Sequence, residues 1–270
     1  MSGDRLEGNV AIVTGGGRGL GRAMVLGLAG AGARVITTAS REAAEVEAVA
    51  REAGDDRVVP VLADVAREED CARVVAMASD RFGRLDMLVN NAGRGMKHVS
   101  QRFLTEPTRF WDTDPEVWRM VIDMNVNGPF LMSRAAAPVM IAAGRGRIVN
   151  ITMNQATMRR RGFSPYGPPK AALESETIVW AQDLDGTGVT VNGLLPGGAT
   201  ATGMIPDGLP QEVRSGLLGP AIMVSPLLWL ASDASDGVTG RRLDASRWRG
   251  ELSEAEAAEA AMDDAGWAVV

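Results

Sequence analysis

Thr14-Gly15-Gly16-Gly17-Arg18-Gly19-Leu20-Gly21 follows the apolar run Val10-Ala11-Ile12-Val13 and leads straight into Arg22-Ala23-Met24-Val25. A buried strand, a glycine turn and a helix start are written in that order. Backbone N–H groups at such a helix start, with the helix dipole behind them and no Cβ atoms in the way, make a cradle for a phosphate or pyrophosphate. The G-x-x-x-G-x-G spacing departs from the commoner G-x-G-x-x-G, so the turn alone is also compatible with an ordinary strand-to-helix connection.

Working outward, short runs apolar on both faces recur at Arg34–Thr38, Arg57–Leu62, Met87–Asn90, Arg147–Ile151 and Val189–Leu194 and read as buried strands. Between them, Gly19 to Ala31, Arg41 to Ala53, Arg67 to Phe82, Pro115 to Ala143 and Lys170 to Leu184 have the length and spacing of crossover helices, the fourth opened by Asp114-Pro115. Repeated strand–helix units with right-handed crossovers build an α/β fold, a doubly wound parallel sheet flanked by helices. We expect one domain over residues 1–250 and a C-terminal helical tail over 251–270, where Ser253 and Glu256 form a capping box. Two segments read as loops beside a ligand: Arg94 to Asp114, with Met96, Phe103, Phe110 and Trp111, and the Gly/Pro/Thr-rich stretch from Gly197 to Leu218.

Composition narrows the function. The 270 residues are 46% hydrophobic and 23% charged, which suits a packed core. A formal net charge of -6, with no basic tract longer than Arg159-Arg160-Arg161, speaks against nucleic acid as a partner. Cys71 is the only cysteine and His98 the only histidine, so neither an internal disulfide nor a Cys/His metal cluster is expected, and a reducing cytoplasm fits. The start, MSGDRLEGN, has no basic and apolar signal pattern, and apolar runs elsewhere break well short of the ~20 residues of a membrane span.

Further motifs stand in order after the glycine turn: Leu62-Ala63-Asp64-Val65, Asn90-Asn91-Ala92-Gly93, Asn125, Tyr166-Gly167-Pro168-Pro169-Lys170 and Pro196-Gly197. From about Leu6 to Gly240 the chain resembles the short-chain dehydrogenase/reductase family, which implies a single-domain Rossmann-type fold and a nicotinamide dinucleotide. The resemblance implies that Gly15, Gly19, Leu20 and Gly21 line the pyrophosphate turn and that Asp64, followed by Val65, binds the adenine. Asn91, Ala92 and Gly93 would run along the adenine ribose and support the sheet, while Pro196, Gly197, Ala199 and Thr202 would border the nicotinamide carboxamide. It also implies a homodimer or homotetramer built through the two long helices, although Arg241-Arg242-Leu243-Asp244 replaces the family's Asp-Gly-Gly ending.

Charge suggests which dinucleotide. An acid at the end of the second strand would bind a ribose 2′-hydroxyl and repel a 2′-phosphate. Here that strand ends Thr37-Thr38-Ala39-Ser40-Arg41, and Arg18, Ser40 and Arg41 offer donors instead. NADP(H) is therefore expected over NAD(H).

At the reacting end, Tyr166 and Lys170 are four residues apart, one helical turn, where an ammonium favours the phenolate of a residue whose reference pKa is near ~10. In the family such a tyrosine protonates a carbonyl oxygen as hydride arrives, the lysine also binds the nicotinamide ribose, and an asparagine matched by Asn125 positions a water. One member departs. The family's serine, 13 residues before the tyrosine, is Met153 here. Asn154, where the strand ends, is the candidate substitute donor, and Thr152 is expected to face away. The leading reading is an NADP(H)-dependent oxidoreductase interconverting a ketone and a secondary alcohol, with Met96, Phe110, Trp111, Met153, Met158, Phe163 and Met204 favouring a mid-sized apolar small-molecule substrate. The alternative is a non-catalytic NADP(H)-binding sensor or scaffold, motivated by Met153.

Overall fold

The computed structural model describes residues 5–206 and 208–266. Eight strands form one sheet: β1 (Val10–Val13), β2 (Arg34–Ala39), β3 (Val58–Leu62), β4 (Met87–Asn90), β5 (Gly146–Ile151), β6 (Val189–Leu195), β7 (Arg241–Asp244) and β8 (Met262–Asp264). Their order is β3-β2-β1-β4-β5-β6-β7-β8, parallel throughout except that β8 runs antiparallel to β7. The register aligns Ile36, Ile12, Leu88, Ile148 and Val191 across five strands.

Period-two alternation explains why the strands are apolar on both faces. Ala11, Val13, Val89, Val149 and Leu194 point to one side, against Met24 and Leu28 of α1 (Gly19–Gly30). Val10, Ile12, Leu88, Ile148 and Val191 point to the other, against α3 (Glu68–Phe82) after α2 (Ala43–Ala53), and against Met132, Ala136 and Met140 of the long helix. Helices cover both faces of the central strands, and β1, β4 and β5 are buried along their whole length.

The long helix expected over 115–143 is present but not regular: α4 (Pro115–Ile122) and α5 (Gly128–Ala142) run into each other through a π turn at Asp123–Asn127. Asn125, in that turn, uses its side chain to hold both Val121 and the loop after β4, and π turns commonly accompany such functional contacts. The chain continues through α6 (Gln155–Met158), α7 (Gly167–Asp183), α8 (Gln211–Ser215), α9 (Val224–Ala231) and α10 (Glu254–Ala261).

The C-terminal segment holds both a confirmed detail and a surprise. The Ser253–Glu256 capping box opens α10, whose Ala257, Ala258 and Ala261 are buried against the chain's own body. The helix then gives way to β8, which the sequence did not announce. Strands β7 and β8 carry charges on short stretches, and Arg241–Asp264 and Arg247–Asp263 ion pairs offset them at the sheet edge.

Candidate active site

The C-terminal ends of the parallel strands gather the motif residues, with the order reversing between β1 and β4, the place where such sheets bind ligands. Gly15 has φ +67, and a Cβ at Gly21 would stand 2.2 Å from the Gly15 carbonyl oxygen, so the turn closes only without side chains. The N-cap of α1 is Arg18, which makes no side-chain cap, and no acid lies in the first turn. Uncapped N–H groups beside a side-chain-free turn fit a pyrophosphate.

Thr14 and Asn91 staple this turn to β4. The Asn91 and Ala92 amides both donate to Thr14 Oγ1 at 3.0 Å, while Asn91 Nδ2 donates to the carbonyls of Thr14 and Gly15 at 2.8 and 3.0 Å. Asn91 therefore acts as a sheet support. Gly93 is required by close approach, since a Cβ there would meet Asn125 Oδ1 at 2.5 Å. That oxygen accepts from the Arg94 amide at 3.2 Å, and Nδ2 donates to the Arg94 carbonyl at 2.8 Å. The side chain of Asn125 is thus committed to the backbone of residue 94. Val65 packs on the start of α5, where Gly128 leaves it room. Asp64 Oδ1 accepts from the Ala66 amide, which fixes its carboxylate at the end of β3.

Positive charge collects at this edge. Arg18 is exposed and pairs with Glu45 at 3.3 Å, Ser40 is half-buried and Arg41 is exposed. Arg94 is half-buried, and desolvation, then Arg41 and Arg18, push its guanidinium below the usual range. Desolvation followed by the same cations, Arg94 first, lowers His98. An anionic ligand would relieve this repulsion. Arg94, within an anticipated loop, was not singled out by sequence because its burial depends on the Asn125 clamp.

Tyr166 is the N-cap of α7 and Lys170 lies in the helix's first turn, with Pro168 and Pro169 accommodated where no N–H is needed. Lys170 is buried, donates from Nζ to the Ile151 carbonyl at 2.6 Å, and is lowered by that burial to about 8. Burial pushes Tyr166 up to about 12, so its phenol keeps its proton at neutral pH. Its hydroxyl faces Met204 Sδ at 3.9 Å, a weak contact.

Met153 and Tyr166 both pack on a small cluster of Met96, Phe103 and Phe163. Thr152 is buried beneath, beside Gly193, and does not join the cluster. Two expectations are corrected. Asn154 does not turn in as a substitute donor: Oδ1 caps α6 by accepting from the Thr157 amide at 2.8 Å, and Nδ2 donates to the Gly197 carbonyl at 3.3 Å. Phe110 and Trp111 do not line the cluster but stack edge-on against each other in solvent, 69% and 65% exposed, and Phe103 takes the inner place. Met158 is buried, while Arg159, Arg160 and Arg161 are exposed, with Arg160 over the Phe163 ring at 5.1 Å.

The Gly197–Leu218 stretch folds over the cleft. Gly197 has φ +83, Ala199 and Ala201 exchange hydrogen bonds with Leu218, and α8 lies within it. Thr202 rests on Gly19, Gly203 on the Arg18 side chain and Met204 on Gly95. Pro196 enters this roof from β6. One strap therefore spans the glycine turn and the tyrosine. A cavity of about 550 Å³ opens between it and α1, lined by Gly19, Arg22, Thr202 and Arg214.

Comparison with known proteins agrees with this geometry. Residues 9–212 match the family described as short chain dehydrogenase, and the chain belongs to it. It is 34% identical over 194 residues to a 3-oxoacyl-[acyl-carrier-protein] reductase of Synechocystis sp., covering 71% of this chain and 74% of that one. The structure of a 3-ketoacyl-(acyl-carrier-protein) reductase from Brucella melitensis complexed with NADH superposes with TM-score 0.78 at 30% identity, covering 88% and 97% of the two chains. A putative NAD(P)-dependent gluconate 5-dehydrogenase from Beutenbergia cavernae with bound NADP gives 0.77 at 32%, covering 89% and 96%. The protein is an NAD(P)-dependent short-chain dehydrogenase/reductase, and the doubly wound fold is that of its relatives. Among the described residues no helix is long and apolar enough to cross a membrane.

Proposed function

We propose that the protein interconverts a ketone and a secondary alcohol on a mid-sized, largely apolar small molecule, with NADP(H) preferred over NAD(H). The observation that carries this reading is Tyr166 packed, like Met153, on the Met96–Phe103–Phe163 cluster, one helical turn from buried Lys170. A nicotinamide cofactor, its pyrophosphate held at the glycine turn, would supply or accept the hydride. Tyr166 would give its phenolic proton to the carbonyl oxygen, Lys170 would favour the resulting phenolate and hold the ribose, and Asn125 keeps the Arg94 backbone in place. No side-chain hydroxyl stands at 153 to polarise the carbonyl, so substrates with an activated carbonyl suit the site best.

NADP(H) is supported by Arg18, Ser40 and Arg41 at the end of β2, although Glu45 shares Arg18. Arg18→Ala is expected to weaken NADPH by about ten- to a hundredfold and NADH far less, because one charge-assisted contact to the 2′-phosphate is lost. Equal losses in fluorescence titration would make Arg18 a structural residue of the turn. A homo-oligomer, dimer or tetramer, is supported by exposed Phe130 and Ile141 on α5 and Val179 on α7, and a cytoplasmic setting by Cys71 being the only cysteine, which forbids an internal disulfide. NADPH consumption over a panel of ketones, diketones and quinones, beside NADPH binding, tests the whole: binding without turnover on any carbonyl would favour a sensor or scaffold.

A further inference from the structure

Below the reacting end lies a buried charge pair that the proton transfer itself does not use. Glu174 follows Lys170 by the same four residues that separate Lys170 from Tyr166, so the three lie along one stripe of α7. Its carboxylate is 0% exposed, and Arg242 of β7 reaches it at 3.1 Å, Nε to Oε1, with 9% of the arginine side chain exposed. From Nη2 the same guanidinium donates to the Met153 carbonyl at 3.0 Å. Glu174 Oε1 also accepts from the Gly266 amide at 3.3 Å, and Gln155 Nε2 donates to the Gly266 carbonyl. Residues 151–155 are thus held from beneath by Lys170, Arg242 and the C-terminal segment.

For stability alone this pair is a poor arrangement. Glu174 Oε2, Arg242 Nε and Thr152 Oγ1 are buried without a well-formed hydrogen bond. Buried ion pairs with unsatisfied atoms are often replaceable by apolar residues without loss of stability. What the pair does provide is geometric: a bridge from α7 to the carbonyl of Met153, whose side chain packs on the same cluster as Tyr166. We propose that Arg242 is a positioning residue of the carbonyl-reducing site, holding the Met153 carbonyl at the end of β5 while cancelling the charge of Glu174 on the Tyr166–Lys170 stripe. Burial raises the Glu174 carboxyl, and Arg242, the Gly266 amide and the neighbouring Thr152 hydroxyl oppose that rise. Without Arg242, the carboxylate would compete one helical turn away for the Lys170 ammonium and disfavour the Tyr166 phenolate. Without Glu174, a lone buried guanidinium would favour it.

The inference rests on the proposed reduction, but one arm of its test does not. Tyr166 is the only tyrosine in the chain, so tyrosinate absorbance reports it alone. Glu174 lies about 12 Å further along α7, and Glu174→Gln should lower the Tyr166 midpoint by about half to one pH unit in stopped-flow pH jumps. In turnover, Arg242→Met should lower kcat about ten- to a hundredfold, with NADPH affinity nearly unchanged and Arg242→Lys recovering part of the loss. The double change Glu174→Leu with Arg242→Leu should return Tm to near wild type yet keep kcat low. An unmoved Tyr166 midpoint in Glu174→Gln overturns the proposal, as does a near-wild-type kcat in the folded double variant. A wild-type protein that reduces no carbonyl defeats the proposed function instead, and the Tyr166 midpoint still decides the role of the pair.

Discussion

The two ends of the cleft are built by different means. At the glycine turn the work is done mostly by backbone: φ +67 at Gly15, the contact between Gly21 and Gly15, and the Asn91 and Ala92 amides, which donate to the Thr14 hydroxyl. At the reacting end it is done by side chains from distant segments, with Met96, Phe103, Met153 and Phe163 gathered around Tyr166. A backbone site follows from a short contiguous motif. A side-chain site depends on which loops meet, and it can change chemistry by one residue, as Met153 does here.

The largest expected effect separates the two ends. Tyr166→Phe should lower kcat by about 10²- to 10⁴-fold while NADPH binding by fluorescence stays within a few-fold, because only the proton donor is removed. Activity equal to the parent would show that the phenol is not the acid. Gly21→Val tests the opposite end, placing a branched side chain where a Cβ would already stand 2.2 Å from the Gly15 carbonyl. NADPH and NADH should weaken together by about tenfold or more, with a lower Tm. A loss confined to one cofactor would contradict a shared pyrophosphate turn.

Smaller effects sharpen the reacting end. Met153→Ser should raise turnover on a plain ketone by about tenfold, and proportionally less on a vicinal diketone, since an oxyanion donor is worth ~10²–10³ when fully preorganised. Asn154→Ala should reduce turnover indirectly, through a lost cap worth ~1 kcal/mol to α6 and a freed Gly197. Were both neutral on every ketone tested, residue 153 would not face the substrate. The gentlest test is pH. With its pKa lowered to about 8, Lys170 carries its ammonium below that value and loses it above. Reduction should therefore decline as pH rises through about 8, while Tyr166, raised to about 12, remains protonated throughout. A flat kcat from pH 7 to 10 would show that the ammonium is not needed, or that bound cofactor lifts the lysine out of this range.

Six parallel strands and their crossover helices were legible because each announces itself locally, by apolar runs of strand length and by caps such as Asp114-Pro115 and Ser253–Glu256. The glycine turn and the four-residue spacing of Tyr166 and Lys170 were legible in the same way, as spacing within a motif, whereas the serine looked for at Met153 was implied only by the family resemblance. Tertiary structure decided the rest. It wound a π turn into the long helix at Asn125, whose side chain is claimed by a loop 31 residues earlier. It turned Asn154 into a cap and sent Phe110 and Trp111 to solvent, choices set by neighbours that no local pattern encodes. It also placed Arg242 against Glu174, 68 positions apart in numbering, converting a polar stretch into a buried strand. Local propensity and spacing write elements and motifs; the partners of individual polar and aromatic side chains are fixed only when the sheet brings distant segments together, because their energies depend on burial and on neighbours rather than on the residues beside them in the chain.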